Sequence, residues 1–205
     1  MSTSRWESLE STRGVRFLKQ FGAERTGTNA INVMCRRAFG FNPLTNTFVK
    51  KHNSFSVDRF PAIDIFGFLI SIRDPYAWAL SYARWKKHTE MSPVWICGAC
   101  DYWNHLYKSY LEIPQEKRVM VRQEAVMTEP VAVLESIAEQ FGLPVVGELS
   151  GIDRVVHPHE RVGAKPFDAR YYLERRYLDE LPQNCIHAVT DTIDWSLLAP
   201  FYEPE

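Results

Sequence analysis

The sequence predicts an α/β domain whose central, largely parallel β-sheet is flanked by helices, and three observations carry that prediction. Strand-like and helix-like stretches alternate along residues 15–141. The run Ile65-Phe66-Gly67-Phe68-Leu69-Ile70-Ser71-Ile72 is apolar almost throughout, as expected of a parallel strand covered on both faces. A turn bracketed by Gly22 and Gly27 joins the first strand to the first helix, and open α/β sheets bind ligands at such strand ends.

The elements follow in order. Residues 1–14 are polar and read as a flexible terminus. Residues 15–21 form the first strand, and 28–39 a helix that Gly40 and Asn42-Pro43 stop. The β-prone run 47–51 reads as a second strand with His52 at its tip, followed by a loop closed by Pro61. The apolar strand 65–72 ends at Arg73-Asp74-Pro75, where Asp74 is a good N-cap and Pro75 a good first helical residue. A second helical stretch follows Pro93, with Trp103, Leu106, Tyr107, Tyr110 and Leu111 on one stripe. Residues 118–122 make the fourth strand. Thr128 is expected to cap the next helix, with Val131, Leu134, Ala138 and Phe141 inward and Gly142 and Pro144 ending it. Asp168 caps a further helix, where Phe167 and Tyr172 have the spacing of a hydrophobic staple.

At 205 residues the chain fits a single domain, 1–205, with a full core. A net charge of −1 offers no global basic field, which argues against nucleic acid as a partner. The longest apolar run, 63–72, is far too short for a transmembrane segment, and the amino terminus lacks the apolar core of a signal peptide. Four scattered cysteines suggest no disulfide framework, and the expected location is cytoplasmic. Oligomeric state leaves no trace in the sequence.

The turn after the first strand carries the chemistry. Gly22 and Gly27 have the spacing of the phosphate-binding formula G-x-x-x-x-G-K-[ST], in which backbone N–H groups and a helix N-terminus close around an anion. Thr28 replaces its lysine and Asn29 its Mg²⁺-binding hydroxyl, while Arg25 brings a positive charge into the loop. This is a phosphate cradle not built for Mg–ATP. In the predicted sheet Arg25, His52 and Arg73 converge at the C-terminal strand ends.

Three segments together, GAERTGTN, KKH and IRDPYAWALSYARW, resemble the PAPS-dependent sulfotransferases, PAPS being 3′-phosphoadenosine 5′-phosphosulfate. The stretch VMVRQEAVMTEPVAVLESIAEQFGL is similar to a further region of that family, so the resemblance covers residues 16–143. It implies a P-loop-type three-layer domain that transfers the sulfuryl group of PAPS to an acceptor hydroxyl of a glycan, lipid precursor or small metabolite, leaving PAP. It implies that Gly22, Arg25, Thr26, Gly27, Thr28 and Asn29 hold the 5′-phosphosulfate, and that Arg73 and Ser81 hold the 3′-phosphate, joined by Arg161 from a degenerate C-terminal segment. His52 is the implied general base, an imidazole being poised for a hydroxyl proton. Arg25 and Lys50 are the implied cations on the transferring group and leaving phosphate. No metal is expected, because the leaving group is already a good one. The chain departs from the family pattern at Arg25 (often lysine), Ala30 (often tryptophan) and Gln123 (often tyrosine).

Two rival functions share the cradle. A P-loop kinase would use ATP, but the loop lacks its lysine and hydroxyl, and ATP gives Arg73 and Ser81 no 3′-phosphate to bind. A non-catalytic nucleotide-binding protein would have no use for His52. Cys97-Gly-Ala-Cys100 has no second cysteine pair with which to hold zinc, and His157 and His159 read as a polar loop beside Pro158. Among the aromatics, Trp85 and Trp95 are the candidates to touch an acceptor.

Overall fold

The computed structural model describes residues 15–60, 63–88, 90–156, 162–166, 168–199 and 201–204. Residues 1–14, Pro61, His157, His159, Arg161 and Phe167 lie outside them. Strands β1 (Phe17–Phe21), β2 (Phe66–Ile72) and β3 (Arg118–Arg122) form a parallel sheet in the order β1-β2-β3. All seven residues of the central strand β2 are buried, as an apolar strand covered on both faces must be.

Helices lie on both sides of this sheet. Period-two alternation sends Leu18 and Leu69 to one face, where they pack with α1 (Thr28–Phe39) and α5 (Pro130–Phe141). Gly67 belongs to this face, and a Cβ there would stand 2.8 Å from the Phe141 ring, so the missing side chain lets α5 close on the sheet. Phe21, Phe68, Ile70 and Ile72 face the other way, toward α2 (Pro75–Trp85), α3 (Pro93–Leu111) and α7 (Gln183–Thr192). The predicted stripe on α3 is buried at Trp103, Leu106, Tyr107 and Tyr110. Asp74 caps α2 as expected, accepting from the N–H groups of Tyr76 (2.9 Å) and Ala77 (3.1 Å). Two short strands, β4 (Arg154–Val156) and β5 (Val162–Pro166), pair antiparallel apart from the main sheet, and α6 (Ala169–Leu173) follows with Asp168 as its cap.

The expected second strand over 47–51 does not form. Leu44 makes an isolated parallel bridge to Lys19, and no strand follows it. Phe48 takes φ 66°, which breaks an extended run. The Val49 carbonyl goes to a buried ammonium instead of a ladder: Lys19 Nζ donates to Val49 O (2.5 Å) and, just upstream, to Thr45 O (2.8 Å). The expected cap at Thr128 is also corrected. Thr128 is the last residue of α4 (Gln123–Thr128), and its hydroxyl bonds back to Glu124 O, while Glu129 precedes α5 with no side-chain cap. Val131, expected inward, is exposed on the first turn of α5. No helix among the described residues is long and apolar enough to cross a membrane.

Candidate functional site

The cradle is shaped by three residues with positive φ: Gly22 (150°), Arg25 (71°) and Gly27 (80°). At Gly22 a Cβ would sit 2.8 Å from both Ser71 O and Thr26 Oγ1, so glycine is required for contact as well as conformation. The loop carbonyls are directed into the protein. Gly22 O accepts from His52 Nδ1 (2.7 Å), Ala23 O from Thr26 Oγ1 (2.7 Å), Glu24 O from Trp78 Nε1 (2.8 Å) and Arg25 O from Arg73 Nη1 (3.0 Å). With the carbonyls so engaged, the N–H groups are the part of the loop left over. Those of residues 25–29 make no hydrogen bond among the described residues. Helix α1 starts there with no side-chain cap and no acidic residue in its first turn, so its positive end is uncompensated. Gln20 steadies it from β1, donating to Thr28 O at 2.9 Å.

Thr26 is fully buried and spends its hydroxyl inside the loop, so its contribution there is to loop shape. Thr28 is buried at the first helical position. Asn29 accepts from Lys51 Nζ at 2.8 Å. Lys50, the lysine singled out by motif spacing, is exposed, and its side chain has no hydrogen bond or ion pair among the described residues. Without a strand over 47–51, the alternation that would aim Lys50 and His52 to one side is lost, and Lys51 is the lysine of this turn that reaches the first turn of α1.

His52 has a defined tautomer. A carbonyl only accepts, so Nδ1 carries the proton and Nε2 holds the lone pair of the neutral ring. Desolvation by burial lowers the imidazole pKa below its ordinary 6.5, and the Lys51 charge adds to that. The Gly22 hydrogen bond and the Glu24 carboxylate oppose it without reversing it.

Arg25, Arg73 and Ser81 line one cleft of about 400 Å³ with Arg84, Trp85, Tyr171 and Tyr172. Arg25 Nε donates to Ser81 Oγ at 3.3 Å, which groups this arginine with Arg73 and Ser81. Desolvation, and then the neighbouring Arg73 charge, hold the Arg25 guanidinium below its ordinary pKa. Arg73 is 5% exposed, donates to Tyr172 Oη at 3.3 Å and lies 5.2 Å from the centre of that ring. Its Nε is buried with no partner among the described residues, an expensive state that an incoming acceptor oxygen would relieve. Arg84 is paired with Glu180. Lys51, Tyr172 and Gln123, whose side chain backs Gly27, are site residues that sequence reasoning missed. Tyr172 was visible there only as half of a hydrophobic staple.

The arrangement can hold two anionic groups, one over the α1 N-terminus and one in the arginine cleft, with a neutral imidazole tied to the loop of the first. Among the described residues no group of three or more His, Cys, Asp or Glu side chains could hold a metal ion. No protein-family model matches this chain, and no curated protein is significantly similar to it.

Proposed function

We infer that this chain is a PAPS-dependent sulfotransferase that moves the sulfuryl group to an acceptor hydroxyl and releases PAP. The observation that carries this reading is the convergence of Arg25, Arg73 and Ser81 on one cleft beside a cradle to which His52 is bonded. A nucleotide with phosphates at both ends of its ribose asks for two anion sites. The orphaned Arg73 Nε and the unused N–H groups of residues 25–29 suit the 3′-phosphate and the 5′-phosphosulfate respectively.

In this reading His52 Nε2 takes the acceptor hydroxyl proton as the acceptor oxygen bonds to sulfur. The bond between sulfur and the bridging phosphate oxygen breaks, and its electron pair leaves with PAP. Lys51, with the α1 N-terminus, offsets the charge growing on that oxygen. The four free cysteines suit a cytoplasmic enzyme, and the acceptor is a glycan, lipid precursor or small metabolite hydroxyl.

Thermal unfolding with PAP, 5′-AMP or Mg–ATP at equal concentration tests the reading. A ligand at a hundredfold excess over its Kd adds about 2.7 kcal/mol to stability. Each kcal/mol raises the midpoint by roughly 2–4 °C in a domain of this size, so PAP is expected to give several degrees. AMP, without the 3′-phosphate, should fall well short. A larger shift with Mg–ATP than with PAP overturns the proposal in favour of a kinase.

A further inference from the structure

The turn that carries His52 is fastened to the cradle by a residue with no part so far in the chemistry. Tyr102, on α3, places its hydroxyl 3.0 Å from Glu24 Oε2 and 3.1 Å from His52 O. A phenol has one proton, so the carboxylate and the carbonyl share it. The Tyr102 ring stacks on Tyr82 at 6.4 Å and 20°, and Tyr82 stacks on Trp78 at 4.9 Å and 17°. Trp78 in turn donates to Glu24 O. Glu24 is therefore gripped through its side chain by α3 and through its backbone by α2, and α3 also holds the next loop residue through Tyr110 Oη to Asn53 O at 3.1 Å.

Two charges act on His52, the Lys51 ammonium from its own turn and the Glu24 carboxylate from the cradle. The groups that α3 brings near, Tyr102 and Tyr110, are phenols whose pKa burial pushes up, so both are neutral donors at physiological pH. The geometry thus separates a mechanical link from an electrostatic one. We propose that Tyr102 and Glu24 are positioning residues for His52: Tyr102 fixes the imidazole against the cradle, and Glu24 supplies the negative charge that keeps it basic beside Lys51. This rests on the reading of His52 as the general base.

The experiment titrates His52 directly, by NMR of histidine-labelled protein with its signal assigned from His52→Ala. It is run on wild type, Glu24→Gln and Tyr102→Phe, alongside kinetics with PAPS. Glu24→Gln keeps an acceptor for Tyr102 but removes the charge, so the His52 midpoint should move to lower pH, and the acidic limb of kcat/KM should follow it. Tyr102→Phe leaves the charge and should lower kcat by roughly ten- to a hundredfold through misplacement of the base. KM for PAPS should stay within about twofold in that variant, as expected when only the transition state loses an interaction. An unmoved midpoint in Glu24→Gln, or unchanged kcat in Tyr102→Phe, overturns the proposal. If Tyr102→Phe does not fold, the near-isosteric Glu24→Gln decides alone. The titration needs no turnover. A shifted midpoint in a protein that makes no sulfated product upholds the action of Glu24 on His52 and sinks the sulfotransferase reading, while normal turnover with an unmoved midpoint does the reverse.

Discussion

Lys51 Nζ donates to Asn29 Oδ1 at 2.8 Å, bridging the turn that carries His52 and the first turn of α1. This contact puts Lys51 at the α1 N-terminus and makes it the cation proposed here to act on the transferring group. Lys51→Ala is expected to lower kcat by roughly a hundredfold or more, as loss of a positioned charge at a developing anion does. Lys50→Ala should leave kcat within about twofold, as an exposed, unpaired side chain implies. Steady-state kinetics on the two variants check this, and the reverse ranking would restore Lys50 to the role.

Arg25 bonds to Ser81 in the cleft that holds Arg73. Its removal should therefore raise KM for PAPS more than it lowers kcat, because a contact to a distant phosphate is made equally in ground and transition states. A loss confined to kcat would put Arg25 at the reacting centre instead.

His52→Ala should lower turnover by about 10²–10⁴-fold while leaving PAP affinity nearly intact. Burial and Lys51 hold the wild-type imidazole below 6.5, so its proton-accepting form persists to lower pH than in a free histidine. The acidic limb of kcat/KM should accordingly lie below pH 6.5. The linkage has a matching sign. The unfolded chain takes up this proton first as pH falls through 6.5, so the stability tied to His52 is present above that value and declines below it.

Gly22→Ala places a methyl group 2.8 Å from Ser71 O at φ 150°. A denaturant titration should show a loss of about 1–3 kcal/mol, the usual cost of a side chain in that region, with more if the cradle cannot shift. A neutral result would mean that the loop has room which the geometry denies it.

Burial lowers the pKa of Lys19 to about 8, the Lys51 charge adding to the effect, against 10.5 in the unfolded chain. Between those values the unfolded state binds the extra proton, so the stability associated with Lys19 climbs as pH rises from 8 to 10.5. The neutral amine still has two N–H bonds, one for each of its carbonyl acceptors. The wild-type advantage over Lys19→Met should therefore grow across this window in parallel denaturant titrations. A constant difference would show that Lys19 does not change protonation there.

Much of this fold was legible because its signals are local. An apolar run fixed β2, Asp74-Pro75 marked the start of α2, and Gly40 and Gly142 closed α1 and α5 at left-handed positions. The cradle was legible for the same reason, since glycine spacing is a local backbone requirement. The failures were non-local. The run 47–51 has strand propensity, but a lysine some thirty residues upstream captures the Val49 carbonyl, and no window along the chain sees that. Lys50 came from the resemblance, which sets a lysine two residues before the histidine, and the Lys51 contact to Asn29 depends on a fold of the turn that motif spacing does not describe. Val131 fitted a helical period, yet the first turn of α5 stands clear of the core, so its periodic position meets solvent.

The ammonium that holds the stretch before His52 has a consequence for how such a protein can change. A strand in a ladder must keep its register, because adding one residue turns every following side chain to the opposite face. Here the sheet edge ends at a single bridge at Leu44, and the backbone of residues 45–49 is held by the Thr45 and Val49 carbonyls on the Lys19 ammonium, with the Phe48 ring packed on Phe60 and Phe66. Length can be gained or lost between those two anchor points without moving β1 or the cradle, because the tether fixes positions and not a register. The stretch between Thr45 and Val49 is thus a place where a lineage could lengthen the chain before His52 while the parallel sheet behind it stays as it is.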